Sequence, residues 1–149
     1  MASSRPVGAN RKYFTVEEAN RALPLVKMIV TDIVRQFRTV NELRQRLSPV
    51  RARDRRAAAA DPYSEEVAQS EAEMELEEQR RRALIEELVQ LGVELKGPDG
   101  LCDFPSLRDG REVYLCWRLG EPEVSHWHEL DAGFAGRQPL TAAAGTRSH

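Results

Sequence analysis

The chain has 149 residues, of which 41% are hydrophobic and 31% are charged, and its formal net charge at pH 7 is −2. This length suits one domain, and no apolar run approaches the ~18 residues of a membrane-spanning helix. The polar N-terminus lacks the apolar segment of a secretory signal, so we expect a cytoplasmic protein whose two cysteines are free thiols.

A long first helix is predicted over residues 15–47. Thr15 and Glu18 have the spacing of a capping box, in which each side chain bonds the other residue's backbone N–H. Apolar residues then recur at alternating steps of three and four, which is typical of a helix packed along another helix. Pro24 predicts a kink. Because a residue before proline disfavours helical geometry, Ser48-Pro49 predicts that the helix ends near residue 47.

A second helix is predicted over residues 62–91, after an arginine- and alanine-rich connector over residues 48–61. Asp61 and Pro62 are typical of an N-cap and a first helical position, and Gly92 of the left-handed residue that follows a helix. The apolar seam of this helix is weaker, because charged residues occupy central positions. Two long helices joined by a short connector predict an antiparallel hairpin.

The two predicted helices carry opposite blocks of charge. Residues 35–56 hold eight arginines against two acids, and residues 61–78 hold eight acids and no base. An antiparallel hairpin brings the two blocks side by side, so we expect ion pairs between the helices. Nucleic-acid binding through residues 44–56 is the weaker interpretation, because the arginines are already compensated.

The periodicity of apolar residues changes after the second helix from that of a helix to that of a strand. Residues 93–130 predict a small antiparallel sheet of three or four strands, separated by glycine-containing turns. Residues 131–140 predict a C-terminal turn, and residues 1–11 and 141–149 predict disordered tails. The predicted fold is α+β, a single domain over residues 12–140 in which a long antiparallel helical hairpin packs with this sheet.

Residues 111–130 hold most of the side chains that bind metals or move protons. They include one of the two cysteines, two of the three histidines and four glutamates, together with both tryptophans. The alternating pattern predicts two neighbouring strands here. Directly paired residues share a face of a sheet, so the parity of the strand register decides which side chains meet.

The parity with Trp117 and Trp127 on one face is favoured, because aromatic cross-strand pairs stabilise a sheet. That parity places Cys116 on the same face as His126 and His128. The opposite parity places Cys116 on the face of Trp127 instead. The sequence therefore favours, without fixing, a thiol and two imidazoles on one side of the ribbon.

A thiol and two imidazoles on one face predict a divalent metal site, with zinc as the first candidate. Carboxylates nearby could complete or orient the ligands. The predicted ligand set is Cys116, His128, Asp103, Glu121, Glu129 and His126. Paired-cysteine and zinc-protease motifs are both missing from the sequence. Structural histidines and a small buried cysteine are therefore the main alternative.

A nucleophile–base pair of Cys116 and His128 is a weaker alternative, because the sequence carries no motif for oxyanion donors. We therefore lean against an enzyme. A second class of function is a coiled-coil-like scaffold without catalytic activity. The first helix offers a longer apolar stripe than the second can cover, which predicts a homodimer or a protein partner docked on the hairpin.

Two segments of the sequence resemble a bacterial family classed only as a domain of unknown function, number 2203. They are YFTVEEANRALPLV at residues 13–26 and GLCDFPSLRDGREVYLCWRLGEPEVSHWHELDAGFAGRQPL at residues 100–140. The resemblance implies a small protein of helices with a β-rich end, and it brings no activity, substrate or cofactor. It also implies that Cys102 and His126 depart from the usual family residues, which favours Cys116 and His128 as ligands.

Overall fold

The structure is a computed structural model that describes residues 12–54 and 62–140, with residues 50–54 and 62–64 described by their backbone alone. Two helices come first, α1 (Val16–Asp54) and α2 (Pro62–Leu91). The predicted tails at residues 1–11 and 141–149, and the predicted cap at Asp61, lie outside the described residues.

The start of α1 confirms the predicted capping box. The backbone N–H of Thr15 donates to Glu18 Oε1, and that of Glu18 donates to Thr15 Oγ1, each at 3.0 Å. The predicted end at residue 47 is wrong, because α1 continues through Pro49 to Asp54. A proline removes one backbone hydrogen bond, and the arginines and alanine that follow are favourable in a helix.

The helices form the predicted antiparallel hairpin, and the apolar seam of α1 is its buried face. Buried residues of this seam include Ala19, Leu23, Val26, Val30, Ile33 and Val40. Helix α2 contributes fewer, among them Val67 and Leu88. Arg44 pairs with Glu78 at 2.9 Å, an ion pair between the charge blocks of the two helices.

Five antiparallel strands follow in simple sequential order: β1 (Glu94–Gly97), β2 (Leu101–Arg108), β3 (Arg111–Arg118), β4 (His126–Glu129) and β5 (Gln138–Pro139). A short 3₁₀ helix, Phe134–Gly136, precedes β5. The sheet thus has five strands where three or four were predicted. The extra strand is β5, which lies where a turn was expected. It pairs with β4, and the Leu140 N–H donates to the Ser125 carbonyl at 2.9 Å.

The register between β3 and β4 confirms the favoured parity. Leu115 lies opposite Trp127, and Cys116 lies opposite His126. The face that carries both tryptophans packs in the main hydrophobic core with the seam of α1. We call this the inner face of the sheet. The opposite, outer face carries Cys116 and both sheet histidines.

Two hydrogen-bonded contacts fasten the start of α1 to the sheet end. The side-chain amide of Asn20 donates to the Val124 carbonyl at 3.2 Å and accepts the Val124 N–H at 2.7 Å. The Phe14 N–H donates to the Pro105 carbonyl at 2.7 Å. In the described part of the chain, no helix is long and apolar enough to cross a membrane.

Candidate metal centre

Three adjacent strands bring a carboxylate, a thiol and an imidazole together on the outer face. Asp103 of β2 is the direct cross-strand partner of Cys116 in β3. His128 lies on the next strand, two residues beyond the partner of Cys116. One ligand atom from each of the three residues lies within 4.8 Å of the other two. We call these three residues the Asp–Cys–His cluster.

The Asp–Cys–His cluster is enclosed. The exposed fractions of Asp103, Cys116 and His128 are 3%, 0% and 2%. A buried polar group costs free energy unless it is bonded, and a buried charge costs more. The three side chains therefore depend on one another for their hydrogen bonds, or on an ion that replaces their protons.

Hydrogen bonds define the proton positions of His128. Its Nδ1 lies 2.7 Å from the Glu129 carbonyl oxygen, which can only accept, so Nδ1 carries a proton. Its Nε2 lies 3.0 Å from Asp103 Oδ1, so one further proton is shared between that nitrogen and the carboxyl group. A backbone bond to Nδ1 with Nε2 turned towards other ligands is the usual arrangement of a metal-binding histidine.

The Cys116 thiol is held in its protonated form. Burial, followed by the charge of Asp103, raises its pKa to about 12. Burial also raises the pKa of Asp103, and the hydrogen bond from His128 offsets part of this effect. A metal ion would reverse this balance, because coordination deprotonates a thiol.

This geometry does not fit a nucleophilic cysteine. The Cys116 thiol lies beside the Asp103 carboxyl group, whose charge raises its pKa, and His128 uses both ring nitrogens elsewhere. A reactive thiolate needs a lowered pKa and access to solvent. Cys116 has neither, so its environment disfavours the covalent alternative.

The second cysteine lies across the sheet from the cluster. Cys102 is on the inner face, as the partner of Trp117, and belongs to the main hydrophobic core. Burial raises its pKa to about 12. Both cysteines are free thiols, as expected, and Cys102 provides a natural control for experiments on Cys116.

Three predicted ligands lie outside the Asp–Cys–His cluster. Glu121 binds Arg137 at 2.9 Å and accepts the Arg118 N–H. Desolvation acts to raise the pKa of Glu121, but these two bonds outweigh it and hold the pKa below its usual value. Glu129 pairs with Arg111 at 3.0 Å and gives the cluster only its backbone carbonyl.

His126 has an intermediate position. It shares the outer face with the cluster as the direct partner of Cys116. Its Nδ1 lies 3.1 Å from Ser125 Oγ, and its side chain is not part of the cluster. His126 is therefore a neighbour of the cluster and not a member of it.

Other polar side chains around the cluster were not predicted. The Tyr114 ring lies 5.5 Å from that of His128, and its hydroxyl donates to Glu94 at 3.0 Å. The positive charge of Arg137 acts on Cys116, against the effect of burial. Side chains alternate between the two faces along β3, and this alternation places Tyr114 on the same face as Cys116. Tyr114 could therefore have been predicted as a neighbour of the cluster.

Fold and site together define a class of protein: an α+β domain in which a helical hairpin backs a sequential antiparallel sheet, with an Asp–Cys–His cluster buried on the sheet's outer face. The chain belongs to the family described as Uncharacterized conserved protein (DUF2203), whose sequence profile matches residues 12–140. This match confirms the resemblance seen in the sequence. Comparison with curated proteins and with solved structures gave no match.

Proposed function

We propose that the protein binds one divalent transition-metal ion, with zinc as the first candidate, through Asp103, Cys116 and His128. One observation carries the proposal: three buried side chains with different ligand atoms converge within 4.8 Å. Zinc binds thiolate, imidazole and carboxylate together, whereas magnesium and calcium favour oxygen ligands alone. The mixed set therefore favours zinc over these ions.

The hydrogen bonds around His128 support the same proposal. The Glu129 carbonyl fixes the Nδ1 proton, which leaves Nε2 as the atom that a metal would bind. An ion at the cluster would replace the shared proton and the thiol proton, and its charge would compensate the buried carboxylate and thiolate. His126 is the first candidate for a fourth ligand, because it lies opposite Cys116 on the same face.

We propose a structural role for the ion. The cluster is enclosed, whereas a catalytic metal keeps a position open to substrate. The ligands come from three neighbouring strands, so a bound ion would fasten β2, β3 and β4 to one another. A cytoplasmic location suits this role, because thiols stay reduced there.

The test is metal analysis of full-length protein produced without an affinity tag and purified without chelator. We expect one equivalent of zinc, or its uptake from added zinc. Cys116→Ser and His128→Gln should abolish binding, and Cys102→Ser should retain it. In the cobalt-loaded protein, a thiolate-to-cobalt absorption band should depend on Cys116 and not on Cys102.

Less than about a tenth of an equivalent, unchanged by added zinc, would contradict the proposal. Binding that survives Cys116→Ser would place the metal elsewhere. His126→Gln tests the fourth ligand separately. It should weaken zinc binding and change the visible spectrum of the cobalt-loaded protein while leaving the thiolate band in place.

A further inference from the structure

A groove runs between α1 and α2, and it consists of two adjoining halves that share Ala83. One half is lined by residues that include Asp32, Arg35, Gln36 and Arg80. The other half is lined by residues that include Leu25, Ile29, Glu86 and Glu87. The smallest side chain of the groove thus lies at its centre, where another helix could approach most closely.

The two halves carry opposite excess charge. Arg35 and Arg80 give the first half its arginines, and among the described residues each forms an ion pair within its own helix, with Asp32 and Glu77 respectively. Their side chains are 69% and 56% exposed, so both remain available to a second partner. The second half carries the exposed carboxylates of Glu86 and Glu87.

Exposed apolar side chains lie towards both ends of the groove. Leu25 is 49% exposed and Met28 is 67% exposed on α1, and Leu76 is 48% exposed on α2. Leu76, Arg80, Ala83 and Glu87 follow the helical spacing that places residues on one stripe. The groove therefore has apolar side chains towards its ends and the small Ala83 at its centre. Arg80 and Glu87, of opposite charge, lie on the two sides of Ala83.

We infer that this groove is the contact surface for a second copy of the chain. A two-fold axis that crosses the hairpin at Ala83 makes α2 antiparallel to α2 of the second copy. Arg80 and Glu87 lie at nearly equal distances on either side of that axis. Each Arg80 then faces Glu87 of the other copy, and the two hairpins form a four-helix bundle.

The same arrangement accounts for one other feature of the groove. The apolar end at Leu76 meets the opposite end of the second copy's groove, where Leu25 lies.

This surface lies on the helices, whereas the Asp–Cys–His cluster lies on the outer face of the sheet. The inference is therefore independent of the proposed metal. Its test is the mass of the full-length protein, by light scattering and sedimentation, over about a hundredfold range of concentration. We expect a dimer that dissociates on dilution and weakens as salt is added.

Charge reversal tests the orientation of the two copies. Arg80→Glu and Glu87→Arg should each weaken the dimer at least about tenfold. The double variant should restore it, because opposite charges face each other again. Arg82→Glu is the matched control: it makes the same change at an exposed position of α2 outside the groove lining, and it should leave the dimer unchanged.

A cross-linking variant tests the position of the axis. Ala83→Cys should form a disulfide between two copies under mild oxidation, and Val89→Cys, on another stripe of α2, should not. A monomer at every concentration would overturn the inference and leave the groove to a different protein. A dimer indifferent to both single reversals, or not restored by the double reversal, would overturn the arrangement.

Discussion

Asp103 Oδ1 and His128 Nε2 lie 3.0 Å apart in the interior and hold one proton between them. The Cys116 thiol lies beside this pair, and the Glu129 carbonyl accepts the Nδ1 proton of His128. These bonds satisfy Asp103 and His128 without an ion, at the cost of a buried carboxyl group. The metal-free and metal-bound proteins should therefore both fold, but with different dependence on pH.

Asp103→Asn should separate stability from metal binding. An asparagine amide can still donate to His128 Nε2 without placing a carboxyl group in the interior. We expect the free energy of unfolding of the metal-free variant to equal or exceed that of the wild type, by up to about 1–3 kcal/mol. Zinc should stabilise the wild type and not the variant in thermal unfolding.

The difference in free energy of unfolding between Asp103→Asn and the wild type should change with pH in one direction. Burial raises the pKa of Asp103, so the folded protein binds the proton more tightly than the unfolded chain does. The carboxyl group therefore favours folding at acidic pH and loses this contribution as pH rises through its folded pKa. The advantage of Asp103→Asn should grow with pH, and a constant difference would contradict this account.

Zinc affinity should rise steeply with pH. The Cys116 thiol has a pKa of about 12 in the metal-free protein and is protonated throughout the neutral range. Binding must expel this proton, so affinity should increase at least about tenfold per pH unit, and more steeply wherever the Asp103–His128 pair still holds its proton. Competition with a chelator between about pH 6 and pH 8 measures the slope. Affinity that does not change with pH would exclude the thiol as a ligand.

The two cysteines should differ in their reactivity towards a thiol reagent. Both are fully buried with a pKa of about 12, so neither should react quickly in the native protein. Modification of Cys102 requires separation of the sheet from α1, whereas Cys116 requires opening of the outer face alone. In single-cysteine variants, Cys116 should be labelled faster than Cys102, and zinc should slow only Cys116. Equal rates would mean that both thiols become exposed in one global unfolding event.

Gly100→Ala, in the turn between β1 and β2, should be a costly substitution. Gly100 has φ +94°, and an added Cβ would lie 2.7 Å from Leu119 Cβ and 3.1 Å from Val30 Cγ1. Left-handed strain and overpacking together should cost about 3 kcal/mol. Gly110→Ala is the control, with φ +77° and no atom within 4 Å of the added Cβ. The free energy of unfolding of Gly110→Ala, measured in urea, should be about 2 kcal/mol higher than that of Gly100→Ala.

The sequence contained enough information to locate most of the cluster. An Asp-Gly pair is typical of a two-residue hairpin turn, and Asp109 and Gly110 both have positive φ here. Such a turn fixes the pairing of its two strands, and it places Asp103 directly opposite Cys116. The longer connection from β3 to β4 fixes no register, so only its parity could be argued, from the two tryptophans.

The side-chain partners around the cluster and the end of α1 could not be predicted from the periodicity of apolar residues. Glu121 pairs with Arg137 because the segment after β4 returns along that strand, which was expected to be a turn alone. Ser125 Oγ lies beside His126 Nδ1 because of local rotamers. In the extension of α1 through Pro49, the helical preference of the arginines and alanine that follow outweighs the local preference of one residue. Pairing parity and turn chemistry were predictable, whereas side-chain partners were not.

The buried residues of the hairpin also divide the molecule into two parts. Val40, Leu43 and Leu47 are buried, yet they lie outside the core that joins α1 to the sheet. Whole helical turns could therefore be added to or removed from that end of both helices without moving Asp103, Cys116 or His128. We therefore expect the hairpin to tolerate changes in length that leave the geometry of the sheet end unchanged.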